Sequence, residues 1–580
     1  MAVKLSNFII AASILLLFAS VSSAQTIQYL SPRPDSRYNA EKSTIIVGFD
    51  KTLEQGFIKA ARINVSGSKS GMHTGTIIPV EGNTKLIFKP DVRFAAGETV
   101  TITGLDGKLN YEFRVSSSTI KTNVEENIKK ELRTDNVYLG PKNPDEIPSF
   151  VIVQDGPTSS GYLFFSNFSN SYVSSYLLAI NNNGTPYFSK LLAARGYDFK
   201  RQPNNTYTYF DEMKHFYLGL DANFQVVDSF YCSYEYATDF HEARLETDGS
   251  AWLMAYNTQI IDMSQIVPGG KLNAQVTGLI IQKINPNKEV VFQWSSWDHI
   301  PITDATHENL QSTSIDYVHG NAIEPMDDNS ILLSSRHLDE ITKISTNTGE
   351  IIWRLGGKQN QFTFINDTIK FSHQHSINYL GDNHYLLFDN GNYHTPSFSR
   401  AVEYKLEETS MTATKVWEYR NNPNIYSYAM GSVQRLANGN TLIGWGSAST
   451  TISEVNSQGQ LLYQLSLPAG QMSYRAFRFE PILATNEGGS ETAVDYTLSQ
   501  NYPNPFNPST TIKFSLQEAS FVNLSIYDIT GKKVSELINR RMQAGQYAET
   551  WNASNFTSGV YFYVLSSDKF SSTKKMILLK

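Results

Sequence analysis

The sequence predicts an all-β chain: a six-bladed β-propeller with one small β-sandwich before it and another after it. Three observations predict this. Aromatic residues make up 12% of the chain, with 32 Tyr and 32 Phe, a bias that suits strands. Short apolar or alternating runs recur throughout, punctuated by Gly, Pro, Asn-Gly and Asp-Gly turns. The middle of the chain repeats one pattern six times: a polar turn, a strand, a second strand ending in a polar loop, and a third ending in an aromatic. At 580 residues the chain is too long for one core. Its 41% hydrophobic and 18% charged content excludes a disordered body, and its net charge of −7 argues against nucleic-acid binding.

Residues 1–24 read as an export signal: Lys4, an apolar run from Phe8 to Phe18, and small residues Ser22-Ser23-Ala24 at the cleavage positions. The run is shorter than the ~20 residues a membrane span needs. Cys232 stands alone, so no internal disulfide can form. Residues 25–116 carry short alternating runs such as Thr44-Ile45-Ile46-Val47-Gly48-Phe49 and Thr99-Val100-Thr101-Ile102-Thr103, the pattern of a small sandwich. The stretches Leu30-Ser31-Pro32 and Phe88-Lys89-Pro90 look like those of bacterial immunoglobulin-like domains. Residues 117–134 read as a charged linker.

The propeller is expected over residues 135–480. Its clearest copy holds Ile331-Leu332-Leu333-Ser334, Ile341-Thr342-Lys343-Ile344, the Asn347-Thr348-Gly349 turn and Ile351-Ile352-Trp353. Adding the short segment before each turn gives four strands per copy, which is a propeller blade. Such a blade cannot bury both faces alone, so the copies must stack around a channel. A second linker, 481–494, leads to residues 495–580. There Asn501-Tyr502-Pro503-Asn504-Pro505-Phe506, Leu524-Ser525-Ile526-Tyr527-Asp528 and Lys574-Lys575-Met576-Ile577-Leu578 are similar to the C-terminal sorting domain of type IX secretion cargo. That resemblance implies contact with the type IX machinery and export through the periplasm and outer membrane, to the cell surface or medium.

The innermost strand of a blade faces the channel. Three blades place a histidine at the same register: His241 lies seven residues before Asp248, His375 seven before Asp382, and His319 eight before Asp327. Gly431 holds that register in blade six. Strand alternation is expected to put Asn321 on the same face as His319. Arg336, after the second strand of blade four, offers planar charged donors suited to a sulfate or phosphate oxyanion.

The surrounding text, Tyr317-Val318-His319-Gly320-Asn321, Ser334-Ser335-Arg336-His337, Trp353-Arg354-Leu355-Gly356-Gly357, His373-Gln374-His375 and Ser399-Arg400-Ala401-Val402-Glu403-Tyr404, resembles the bacterial arylsulfate sulfotransferases. The resemblance implies sulfate exchange between phenols without a nucleotide donor, through a transiently sulfated histidine. His375 matches that nucleophile, and His241, His319, Asn321 and Arg336 match the residues that hold the sulfuryl oxygens and assist the leaving phenol. Arg400 and His373 are expected on the substrate-binding side. Aryl sulfates and phenols are the implied small-molecule partners, and relatives' behaviour implies a homodimer through the leading β-domain. No metal or organic cofactor is required.

Other classes fit less well. No G-x-x-x-x-G-K-[ST] loop occurs for a nucleotide sulfate donor. Cys232-Ser233-Tyr234-Glu235 lacks the x-Pro-x-Arg of a sulfatase. Three imidazoles can hold zinc or copper, but a neighbouring arginine opposes a cation. A non-catalytic surface propeller that binds a sulfated or phenolic ligand is the alternative outside enzymes, because fold does not fix function.

Overall fold

The structure, a computed structural model, describes residues 25–117, 147–169, 175–482 and, with short breaks, 497–579. The expected export signal, and almost all of both expected linkers, lie outside the described residues. Two compact units divide the chain, one holding the leading domain and the middle region, the other holding the tail.

The leading domain is a two-sheet β-sandwich. One sheet orders Ile27–Ser31, Ile45–Phe49, Lys85–Pro90 and Gly75–Val80; the other orders Gly71–His73, Ile63–Gly67, Thr99–Gly104 and Leu109–Arg114. Inward residues of both sheets, among them Val47, Val65, Leu86, Val100, Ile102 and Phe113, form its core.

The middle region is a ring of six antiparallel sheets. Blade two runs Gly196–Arg201, Tyr207–Asp211, Phe216–Leu220, Val226–Phe230 from inside outward. Blade three runs Ala237–Leu245, Ala251–Ile261, Ala274–Ile284, Val290–Ser295, and blade four Gly320–Met326, Ser330–Ser335, Glu340–Ser345, Ile351–Gly356. Blade five follows with His375–Gly381, His384–Asp389, Arg400–Glu407, Thr412–Tyr419, and blade six with Ser432–Arg435, Thr441–Gly444, Thr450–Val455, Leu461–Ser466.

The ring closes twice. Ala476–Phe479, from the end of the region, supplies the inner strand of blade one beside Tyr162–Ser169, Tyr176–Ile180 and Pro186–Leu191. Val151–Gln154, from its start, adds an outermost strand to blade six. The six inner strands contact one another in sequence and return to the first. Middle strands are packed on both faces and therefore read as unbroken apolar runs: every residue of Ile331-Leu332-Leu333 is buried.

Four of the six inner strands share an irregularity. Their pairing skips between Tyr197 and Lys200, Thr238 and Ala243, Gly320 and Ala322, and His375 and Asn378. Bulges of this kind bend a strand and re-aim its side chains. The bent ends all belong to the same rim, where Asp198, His319 and Ser376 adopt positive φ. Blade six has no side chain to aim there: Gly431 sits at φ +111°, and a Cβ on it would stand 2.4 Å from ring atoms of buried Phe388.

The tail is a separate sandwich whose sheets are Thr497–Leu498, Ser509–Leu516, Gly545–Asn552 and Lys533–Met542, Ser520–Asp528, Gly559–Ser566, Ser571–Leu578. Trp551, Ile526, Leu565 and Leu578 lie in its core.

Replacing Gly431 by Ala is expected to destabilise the propeller by about 1–3 kcal/mol, from overpacking against Phe388 and a strained backbone. A drop in the thermal midpoint of the propeller transition checks this; an unchanged midpoint contradicts the packing described.

Candidate functional site

The bent rim gathers a cup of imidazoles. His375 opens the inner strand of blade five and His319 immediately precedes that of blade four. His241 lies within Ala237–Leu245, at its bulge, and not at the strand's start as its spacing suggests. The rings of His241 and His319 are 5.0 Å apart, those of His319 and His337 4.5 Å, and those of His337 and His373 5.8 Å.

Four of these rings have Nδ1 tied to an oxygen. Nδ1 of His241 meets Asp239 at 2.7 Å, and Nδ1 of His319 meets Asp316 at 2.6 Å. Nδ1 of His337 meets the Asp316 carbonyl at 2.6 Å. Nδ1 of His375 meets Asn390 Oδ1 at 2.7 Å and the His373 carbonyl at 3.1 Å. The Asn390 amide is itself oriented, because its Nδ2 donates to the carbonyls of Ser427 and Met430 at 2.9 Å. An acceptor at Nδ1 fixes the proton there in a neutral ring and leaves the lone pair on Nε2. For His375 that lone pair is the chemically available one.

Arg336 closes one side. Its main-chain N–H donates to the His319 carbonyl at 2.9 Å, and its guanidinium reaches His337 Nε2 at 2.7 Å and the Tyr428 carbonyl at 3.3 Å. Burial, then the positive charge of Arg336, holds His375 well below the usual imidazole value, against a weaker upward pull from Asn390. Burial and Arg336 press His373 to about 2, and burial and His319 press His337 to about 4. Burial would raise the Asp316 carboxyl, but the hydrogen bond and charge of His319 outweigh it and hold the group below its ordinary value. His373 is 4% exposed and neither ring nitrogen has a partner among the described residues.

The cup has a charged floor. Arg475, just before the closing inner strand, donates to Asp198 at 2.9 Å, to Glu242 at 2.8 Å and to the Asn321 carbonyl at 2.7 Å. Lys200 pairs with Asp198 at 2.7 Å and also with Glu242. Blades one to four are thereby tied together beneath the histidines.

Two expected residues stand elsewhere. Asn321 does not share a strand face with His319, because His319 precedes the strand in a left-handed conformation and Asn321 is the extra residue of the bulge. Fully buried, Asn321 donates from Nδ2 to the Gln374 carbonyl at 2.8 Å, next to His375, so it supports the site from beneath. Arg400 is not a substrate ligand. It is completely buried, and its five N–H groups go to Asp389, Asp367, Glu418 and the Lys370 carbonyl, leaving none for a ligand.

Sequence reasoning missed several contributors. Asp239 and Asp316 sit two and three residues before their histidines, a spacing that could have revealed them. His337 was visible only as the neighbour of Arg336. His307 gave no signal: it arrives on a loop, pairs with Asp339 at 2.9 Å and stacks on Tyr393 at 3.4 Å. Among the described residues, Asp316, His319 and His337 are the group able to hold a metal ion, each with a donor atom within 4.8 Å of the others. The Arg336 guanidinium on His337 Nε2 opposes a cation there.

Comparison with known proteins agrees with part of this picture. Residues 218–467 match the family model described as Arylsulfotransferase (ASST), and residues 500–579 match that of the secretion system C-terminal sorting domain. The second match indicates export through the type IX system to the cell surface or beyond it. The first supports arylsulfotransferase-type activity in general terms. No curated protein matches the chain. Similar solved structures include a protein of unknown function from Bacteroides caccae, at 12% identity and TM-score 0.37, covering 55% of this chain and 98% of that one. Virginiamycin B lyase from Staphylococcus aureus matches at 10% identity and TM-score 0.30, covering 64% and 97%. PorZ, a type IX secretion component of Porphyromonas gingivalis, matches at 9% identity and TM-score 0.30, covering 94% and 74%.

The unfolded chain takes up protons on imidazoles near pH 6.5, whereas His337, His373 and His375 stay neutral when folded, so each withdraws stability as pH falls below that value. NMR of protein labelled with 15N-histidine, assigned by single His→Asn variants, should show His373 and His375 neutral from about pH 8 to about pH 5. Titration of either near pH 6.5 contradicts the burial described.

Proposed function

We propose that the cup transfers a sulfuryl group from an aryl sulfate ester to a phenolic acceptor, with His375 carrying the group between them. The observation that bears most weight is the arrangement at His375: two acceptors at Nδ1, a neutral ring, and Arg336 among the charges it feels most strongly. A neutral Nε2 is nucleophilic near neutral pH, and an N-sulfated imidazole is labile enough to pass the group on.

In the first half-reaction Nε2 of His375 attacks sulfur, the N–S bond forms, and the S–O bond to the aryl group breaks. The departing phenolate takes a proton from a neighbouring imidazolium, His319 or His241, each backed by its own carboxylate. In the second half the acceptor phenol returns that proton, its oxygen bonds to sulfur, and the N–S bond breaks. Charge spreads over the sulfuryl oxygens in both transition states, where Arg336 supplies fixed donors. Asn321 acts through the Gln374 backbone, and His373 lies on the substrate side of the cup. No nucleotide, metal or organic cofactor enters either step. The same atoms would suit a propeller that only binds sulfated or phenolic ligands, and turnover separates the two.

A pulse of chromogenic aryl sulfate followed by peptide mass spectrometry should find one sulfuryl group on the peptide carrying His375, removed on adding phenol. His375→Asn should abolish chromophore release with little change in thermal midpoint. Release that needs no acceptor indicates hydrolysis, and a His375→Asn variant with near-normal rate rules out this nucleophile.

A further inference from the structure

The middle hairpin of blade three is longer than its blade. Its strands Ala251–Ile261 and Ala274–Ile284 have eleven residues each, but the inner strand pairs no further than Tyr256 and the outer strand no further than Ile280. The surplus, from Asn257 to Leu279, projects past the rim on the histidine side. Tyr256, the last residue before the surplus, brings its hydroxyl to 3.5 Å from His241 Nδ1.

The projection holds one side of the site. Ser314–Asp316 lies along its return strand as a parallel ladder, Gln275 against Ser314 and Thr277 against Asp316. Asp316 in turn binds Nδ1 and the main-chain N–H of His319 through its carboxylate, and Nδ1 of His337 through its carbonyl.

The projection is also gripped from outside, by the leading sandwich. Asn257 Nδ2 donates to the Tyr38 carbonyl at 3.1 Å, and Ser116 Oγ donates to Gln259 Oε1 at 2.7 Å. Gln259 Nε2 closes the set on Asn257 Oδ1 at 2.5 Å. Tyr38 packs on Trp297 at 5.0 Å, and Trp297 packs on Tyr317, beside Asp316, at 5.5 Å. Asn257 and Gln259 are both buried, so these polar groups have no water to fall back on.

We propose that the leading sandwich is the outer half of the site's wall, and that its clamp on Asn257 and Gln259 positions Asp316 and therefore His319. Asn257 and Gln259 are positioning residues in this scheme. Elsewhere the sandwich is docked independently: Tyr29 exchanges two hydrogen bonds with the Gln293 backbone, and Lys85 donates to the Val291 carbonyl at 3.0 Å. The clamp can therefore be loosened without detaching the domain. The link to catalysis rests on the sulfuryl-transfer reading, but the positioning claim does not.

The test uses the full chain with Asn257→Leu and Gln259→Met together, which keep volume while removing the polar clamp, and Ser116→Ala, which loosens it from the sandwich side. The readout is the downfield Nδ1–H proton resonance of His319, assigned by its loss in His319→Asn. Expected is an upfield move or broadening in both clamp variants, no change in the interface control Lys85→Met, and a fall of about tenfold in kcat with donor KM nearly unchanged. If the clamp variants fold and leave the His319 resonance where it was, the inference is overturned. If the resonance moves but the parent protein transfers no sulfuryl group, the clamp stands and the functional reading falls.

Discussion

Arg475 joins four inner strands at once, and the cup above it depends on that junction. Its guanidinium pairs with carboxylates from blades two and three and holds a carbonyl of blade four, while its own strand closes the ring at blade one. Burial would raise the Glu242 carboxyl, yet Arg475 and Lys200 hold it below its ordinary value, so this carboxylate stays charged in a dry interior. Removing one partner from such a cluster typically costs ~3–5 kcal/mol, because the other charges are left buried and unpaired. The network joins, through buried and paired side chains, the inner strands of blades three and four beside His241 and His319 to those of blades one and two.

Above that floor the chemistry follows from which nitrogen is engaged. Nδ1 of His241, His319, His337 and His375 faces a protein oxygen, and His337 Nε2 is held by Arg336, which leaves the Nε2 atoms of the other three rings turned from those anchors. The acceptors differ in kind. His241 and His319 face carboxylates, whereas His375 faces a neutral amide and a carbonyl. One fold thus gathers imidazoles that are distinguished by what stands behind them.

The repeat was legible because turn residues and apolar runs follow directly from strand geometry. The Asp248-Gly249 and Asn438-Gly439 turns do what their sequence implies, each with Gly at φ near +86°. The register of His319 and His375 was legible for the same reason. Alternation failed at Asn321, since a bulge with a left-handed residue interrupts the period of two, and nothing in the residues themselves announces a bulge. Arg400 misled because a motif records which residues occur together, not which way they point; its carboxylate cage is assembled from Asp367 and Glu418, distant in the chain. His307, the Arg475 network and the grip of Tyr38 and Ser116 on blade three depend on contacts between remote segments, for which a single sequence carries no local mark.

The most direct test of the central claim is a crystal structure of the protein trapped with a slowly reacting aryl sulfate. The account predicts the sulfuryl group bonded to Nε2 of His375, with its oxygens facing Arg336 and the His319 ring. A group bonded to Nδ1, or a sulfate ester seated outside the ring of inner strands, would contradict it.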